Sequence, residues 1–174
     1  MIDTIYTIGY SGFNINSFLT ILKENHISLV IDVRSLPYSK HFPDYNKDNI
    51  SKILNKTGFY YRNYALEFGA RQKNLSFYPN GYLDFDLFSK SDNFLSGVEK
   101  LEKSMKQDYR FVLMCSEIDP IICHRAILVS RAFYNKGYKI IHLLPDNKVI
   151  SQNYIEERLL NKYLVSMMSI ILIL

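Results

Sequence analysis

Tryptophan is absent, and cysteine occurs only twice in 174 residues. Two thiols exclude a disulfide-stapled scaffold. No apolar run reaches the roughly 20 residues that a membrane span requires. A large charge of either sign is also missing. The net charge of +4 suits anionic ligands but falls short of a dedicated nucleic-acid binder. Met1-Ile2-Asp3-Thr4 lacks the basic and apolar regions of a signal peptide. The chain is therefore expected to be cytoplasmic, with its thiols reduced. It contains no repeat, no low-complexity segment and no linker, which predicts one α/β domain over residues 1–163. An apolar C-terminal tail follows over 164–174. That tail reads as a buried final element or a subunit contact in a homo-oligomer, with an accidental extension from altered reading of the gene's end and membrane contact the weaker alternatives.

What is present is an ordinary globular balance, 48% hydrophobic, with aromatics at 14% that are all Tyr and Phe. Apolar runs alternate with helical patterns. Strands are expected at Thr4 to Ile8, Ser28 to Val33, Phe59 to Ala65, Tyr109 to Cys115 and Tyr138 to Leu144. Between them, Asn14 or Asn16 caps a helix carrying Phe18, Leu19, Ile21 and Leu22. A second helix buries Ile50, Ile53 and Leu54 and stops at Gly58. Asp92 opens a third, with a stripe at Phe94, Val98, Leu101 and Met105. Asp119-Pro120 is expected to start a helix that runs to Gly137, and Ser151 to cap a last one. Five alternations predict a three-layer α/β fold: about five mostly parallel strands with helices on both faces. The stretch from Leu66 to Lys90 is too long and irregular for a simple connection and reads as a functional loop.

In a parallel sheet all strand C-termini share one edge, and ligands bind there. Three polar clusters follow three strands: Gly9-Tyr10-Ser11, Asp32-Val33-Arg34-Ser35 and Cys115-Ser116-Glu117. Cys123-His124-Arg125 comes just after, in what reads as the first turns of a helix. A nucleophilic cysteine must be a thiolate, which a helix N-terminus and a nearby Arg favour. Cys115 and Cys123 are thus candidate nucleophiles, with His124 as base partner and Arg125 as anion clamp. Against this, Ile118 to Ile122 lacks the short Gly-rich cradle that thiol phosphatase sites need. Three other readings stay open: buried small hydrophobes, a regulatory disulfide, and ligation of zinc by Cys115, Cys123 and His124. Neighbouring helical side chains point about 100° apart, which argues against the zinc set. Asp32 and Arg34, two apart, point to one side, either as a local ion pair or as an orienting acid beside an anion grip. Asp32 with Glu117 offers a divalent-metal alternative. Ser11 offers a hydroxyl and exposed N–H groups to a phosphate. His26 and His41 are expected at the surface and His142 as a satisfied core histidine. Tyr60 to Tyr64, with Arg71, Lys73 and Tyr82, offers stacking platforms for bases.

In this order the motifs resemble the family known as domain of unknown function 488. They stand here as Thr7-Ile8-Gly9-Tyr10-Ser11, Asp32-Val33-Arg34-Ser35-Leu36-Pro37-Tyr38-Ser39, Cys115-Ser116-Glu117 and Cys123-His124-Arg125. Phe42, Leu66 and Gly69 also fit. Tyr10 stands where His is common, and Gly69-Ala70 replaces a Gly pair. The likeness runs from about residue 4 to 145. It implies an α/β domain with these motifs in one pocket; it carries no reaction with it.

The residues together predict a pocket that binds or processes a small anionic or nucleotide-like molecule. Cys115, Glu117, Cys123 and Asp32 are the candidate catalytic groups. Ser11, Arg34, Ser39, His124 and Arg125 are the candidate binding groups. The reaction class would be a thiol- or acid/base-dependent hydrolysis or transfer. The alternative is a non-catalytic nucleic-acid or nucleotide-binding module. No cofactor is firmly implied, although a divalent metal fits the acids.

Overall fold

The computed structural model describes residues 3–171, with side chains through Lys162. The packing of the apolar tail at 164–174 lies outside the described residues. No helix among the described residues is long and apolar enough to cross a membrane.

Six strands form one sheet: β1 (Thr4–Gly9), β2 (Leu29–Asp32), β3 (Tyr60–Asn63), β4 (Phe111–Cys115), β5 (Lys139–Leu143) and β6 (Val149–Ser151). Their order is β3-β2-β4-β1-β5-β6. The first five are parallel, as the alternation predicts, and β6 pairs antiparallel with β5. The sixth strand was not expected. It is three residues long, too short for a periodicity to show. Pro145-Asp146-Asn147 turns the chain into it, with Asp146 and Asn147 both at positive φ. Its end at Ser151 then accepts from the Tyr154 N–H and caps α7 (Gln152–Ile171).

Helices cover both faces. On one face α1 (Ile15–Glu24) and α2 (Lys47–Lys56) bury Phe18, Leu22, Ile50 and Leu54 against Val30, Val112 and Met114. Asn14 caps α1 by accepting from the Ser17 N–H at 2.9 Å. On the other face lie two short helices, α3 (Ala65–Phe68) and α4 (Phe85–Ser89), and then α5 (Asp92–Met105). Ser91 caps α5, one residue before the expected Asp92, because its hydroxyl reaches the Phe94 N–H. Phe88, Phe94, Val98 and Leu101 pack there with Ile31, Leu113 and Phe133. The long irregular segment thus partly orders into helical turns over this core.

The segment after β4 departs most from expectation. Asp119 does cap, accepting from the Ile121 N–H, but it starts only a single tight turn, Pro120–Ile122. Cys123 is extended, with φ −120 and ψ 129, so it stands outside the helix. A π-helical stretch, Arg125–Ser130, follows and leads into α6 (Arg131–Asn135). Ser130 supports the wide turn by donating to the Arg125 carbonyl at 2.7 Å.

Strand order places a switch point between β1 and β4. From β1 the chain crosses through α1 toward β2; from β4 it crosses the other way, over β1, to β5. Adjacent loops that leave in opposite directions open a crevice at the strand C-termini. Gly9 and Cys115 are register partners at that edge.

His142 of β5 is the core histidine expected. The Thr7 hydroxyl receives a hydrogen bond from Arg125 and so donates to His142 Nδ1 at 2.7 Å. His142 Nε2 donates to Gln152 Oε1 at 3.0 Å. This ring is satisfied only when neutral. Burial, helped by the Arg125 charge, pushes its pKa down to about 4. An unfolded histidine titrates near 6.5, so between the two values the unfolded chain holds the extra proton. Stability therefore falls as pH drops from 6.5 toward 4, by about 3 kcal/mol in all. Denaturation midpoints measured at stepped pH check this; a flat profile from pH 6.5 to 4.5 rejects it.

Candidate functional site

The crevice holds a cavity of ≈ 400 Å³ lined by Tyr10, Arg34, Ser39, Arg71, Cys115, Glu117 and His124, among others. Its frame is built first. Gly9 lies so close to the β4 loop that a Cβ there would overlap the Glu117 carbonyl. Ser11 gives both its N–H and its hydroxyl to the Ser116 carbonyl. Arg125 is fully buried and donates to the carbonyls of Glu117 at 2.6 Å and Ile118 at 3.1 Å, and to Thr7 Oγ1. Ser11 and Arg125 were expected to touch ligand. Ser11 bonds instead to a backbone carbonyl, and Arg125 to two backbone carbonyls and the Thr7 hydroxyl, so both brace the loop that presents Cys115 and Glu117.

Asp32 ends β2 at 0% exposure. Its Oδ1 accepts from the Arg34 N–H and Nε, and its Oδ2 from Arg34 Nη2 at 2.6 Å and the Tyr61 hydroxyl at 2.7 Å. All four acceptor directions are used. The Asp32–Glu117 metal alternative therefore finds no free oxygen at Asp32, which serves instead as the anchor of Arg34. Arg34 is 5% exposed. Burial works against its charge, but Asp32 outweighs that and raises its pKa. Nη2 also donates to the Tyr45 carbonyl at 2.8 Å, and the guanidinium sits 4.8 Å from the Tyr10 ring centre. Nη1 has no partner; it is the one such buried side-chain atom among the described residues.

The sulfurs lie at the other end of the cavity. Cys115 Sγ is 4.0 Å from His124 Nδ1. His124 Nε2 lies 3.0 Å from the Val33 carbonyl. A carbonyl only accepts, so Nε2 carries the hydrogen, and whenever the ring is neutral Nδ1 has its lone pair toward Cys115. Burial works against the His124 charge, but Cys123, the Val33 carbonyl and Glu117 outweigh it and raise the His124 pKa. Cys123 donates to Glu117 Oε2 at 3.0 Å, and Ser116 donates to Oε1 at 2.8 Å. Burial alone would raise the Glu117 pKa. Hydrogen bonds from the Cys123 and Cys115 thiols, its own backbone and Ser116 hold it at about 2. Burial pushes the Cys123 thiol well up. That keeps Cys123 in the thiol form and makes it a poor nucleophile. Because Cys123 is extended rather than helical, its side chain and that of His124 reach the same corner. Both sulfurs and Nδ1 lie within 4.8 Å of one another.

The model of the family described as Domain of unknown function DUF488 matches residues 14–132. The chain belongs to that family. Neither the curated proteins nor the solved structures gave a match. The matched span of this DUF488 domain contains the β2, β4 and Cys-His-Arg motifs that line or brace the cavity.

Around these groups the DUF488 domain gives several residues roles that the sequence did not reveal. Tyr61 and Tyr45 hold the Asp32–Arg34 pair, and Tyr10 stacks on Tyr45 at 4.4 Å. Ser35 accepts from the Arg71 N–H at 2.8 Å, bringing the long loop to the rim. Only the alternation of Tyr61 with its neighbours hinted at a buried phenol; Tyr45 sits in a polar stretch that carried no signal. Ser39 lines the cavity, but its hydroxyl accepts from the His41 and Phe42 N–H groups and shapes the turn. His26 and His41 are exposed, as expected. The aromatic strand is largely committed: Tyr60 packs on Tyr109, Tyr61 on Asp32, and Tyr64 on Phe68. A wider groove of ≈ 760 Å³ beside α1 is lined by Asn16, Thr20 and Asp44, among others, and holds no unpartnered buried donor.

Proposed function

We propose that the cavity binds a small anionic group, a phosphate or carboxylate carried on a larger body, and presents it to the Cys115–Glu117–His124 corner for hydrolysis or group transfer. The observation that carries this is Arg34 Nη1. A buried donor without a partner costs about 1–3 kcal/mol, and more when charged. Such a cost persists where a ligand supplies the acceptor. Asp32 supports the arrangement by fixing the fork, which leaves Nη1 as the guanidinium nitrogen still without an acceptor. Tyr38 and Phe42 at the rim suit a flat or apolar body attached to the anion. The corner holds a thiol, an imidazole and an ionised carboxylate, which is the equipment of that reaction class. The carboxylates here do not oppose the anion: Asp32 is neutralised by Arg34, and Glu117 is turned to Cys123 and Ser116.

A panel of small anions, including inorganic phosphate and nucleoside monophosphates, tests this by thermal melting. At about 100 times its Kd a ligand adds roughly 2.7 kcal/mol, which raises Tm by roughly 5–10 °C for a chain of this size. Neutral analogues such as nucleosides are expected to give much less. Equal shifts from nucleosides and nucleotides, or no shift from any anion, would reject the reading.

A further inference from the structure

We infer that Cys115 Sγ, Cys123 Sγ and His124 Nδ1 form a zinc-type site whose fourth position opens to the cavity. Nothing else in the fold brings three soft or borderline donors together among the described residues. Two thiolates and one imidazole with an open place make a ligand set of the catalytic zinc kind. Carboxylate-preferring Mg²⁺ and Ca²⁺ do not suit these donors.

The geometry is close to that of a loaded site. Tetrahedral zinc with ordinary bond lengths puts ligand atoms about 3.5–3.8 Å apart. Here Cys115 Sγ and His124 Nδ1 are 4.0 Å apart, and all three atoms lie within 4.8 Å of each other. Inward movement of about 1 Å or less closes the set. The imidazole is already aimed. Its Nε2–H is held by the Val33 carbonyl, the backbone partner that ligating histidines commonly have, and this leaves Nδ1 as the free donor atom. The extended residue at Cys123 is what makes the set feasible, because on a continuous helix adjacent Cys and His side chains diverge. Cys115 and His124 line the cavity while Cys123 closes the site from behind, so the open position faces the space that Arg34 also lines.

When the cation enters, two thiol protons leave and both sulfurs become ligands. Glu117 keeps the Ser116 hydroxyl and gains a free side from which to accept a hydrogen bond from water in the fourth position. The inference deepens the reading above by naming what occupies the corner. It rests on that reading only for what lies beside the open position. Zinc uptake needs no anion.

The test is a metal titration of the full chain, stripped with chelator and kept reduced. One equivalent of zinc per chain is expected to bind in competition with a chromophoric chelator. Cobalt(II) is expected to give thiolate charge-transfer absorption and the intense visible bands of a tetrahedral site. Cys115→Ser and Cys123→Ser are each expected to weaken binding by more than about a hundredfold, beyond the loss typical of an outer-shell change. Should those variants unfold, the wild-type protein answers: one equivalent of zinc protects both thiols from alkylation. Arg34→Lys is expected to keep zinc. Pale octahedral cobalt, substoichiometric uptake or thiols that stay equally reactive with zinc present would each overturn the inference. If zinc fails while anions still raise Tm, the metal site alone is wrong.

Discussion

Arg34→Lys is expected to fold and to lose its response to phosphate. A lysine ammonium keeps the positive charge beside Asp32, so that carboxylate is not left alone in the core. It lacks the planar fork, however, and cannot hold Asp32 and offer a second nitrogen to a ligand at once. A hydrogen bond to a charged group contributes about 1.5–3 kcal/mol, so losing Nη1 weakens phosphate binding at least about tenfold. Arg34→Met behaves differently. It strands the fully buried Asp32, and breaking one side of a buried pair costs about 3–5 kcal/mol. The double variant Asp32→Asn/Arg34→Met recovers part of that loss but none of the binding. Thermal melts with and without phosphate on the three variants separate the roles. Phosphate binding by Arg34→Lys at wild-type strength would remove Nη1 from the site.

Gly9→Ala carries the other large effect. The added methyl overlaps the Glu117 carbonyl and crowds the Ile118 backbone, and neither can rotate away as a side chain tip would. Overpacking typically costs about 1–3 kcal/mol, and two backbones in contact put this change at or above the top of that range. The melting temperature is expected to fall by roughly 6–12 °C. The damage is also local to function. Moving the Glu117 carbonyl loosens its bond from Arg125 and the neighbouring pair from Ser11 to Ser116. Cys115 and Cys123 are then expected to alkylate faster than in the wild-type protein under native conditions. A variant as stable as wild type, with equally protected thiols, would show that the β1 edge and the β4 loop are not locked together.

Much of the sheet was legible because each parallel strand is an apolar run bounded by breakers. The meeting of Asp32, Arg34, Cys115 and Glu117 at one edge followed from parallel pairing alone, whereas His124 reaches it only because Cys123 is extended. What stayed hidden depends on backbone carbonyls and on breaks in regular structure. Ser11 and Arg125 read as ligand contacts because a sequence lists donors and not the carbonyls that use them. The helix expected from Asp119 failed at Cys123, where the chain extends and then widens into a π-helical turn, and no residue type marks that. Asp32 and Arg34 were legible as a pair. That Tyr61, Tyr45 and Asp32 together leave a single nitrogen over needed the tertiary packing. Strand β6 escaped because three residues carry no period.

The most direct measurement is a phosphate titration followed by nitrogen-15 NMR of the arginine side chains. The account predicts that the Arg34 guanidinium signals shift saturably with phosphate while those of Arg125, fully buried and bonded to the Glu117 and Ile118 carbonyls and to Thr7 Oγ1, stay in place. Arg34 signals that do not move, or arginine signals that all drift together with ionic strength, would contradict it.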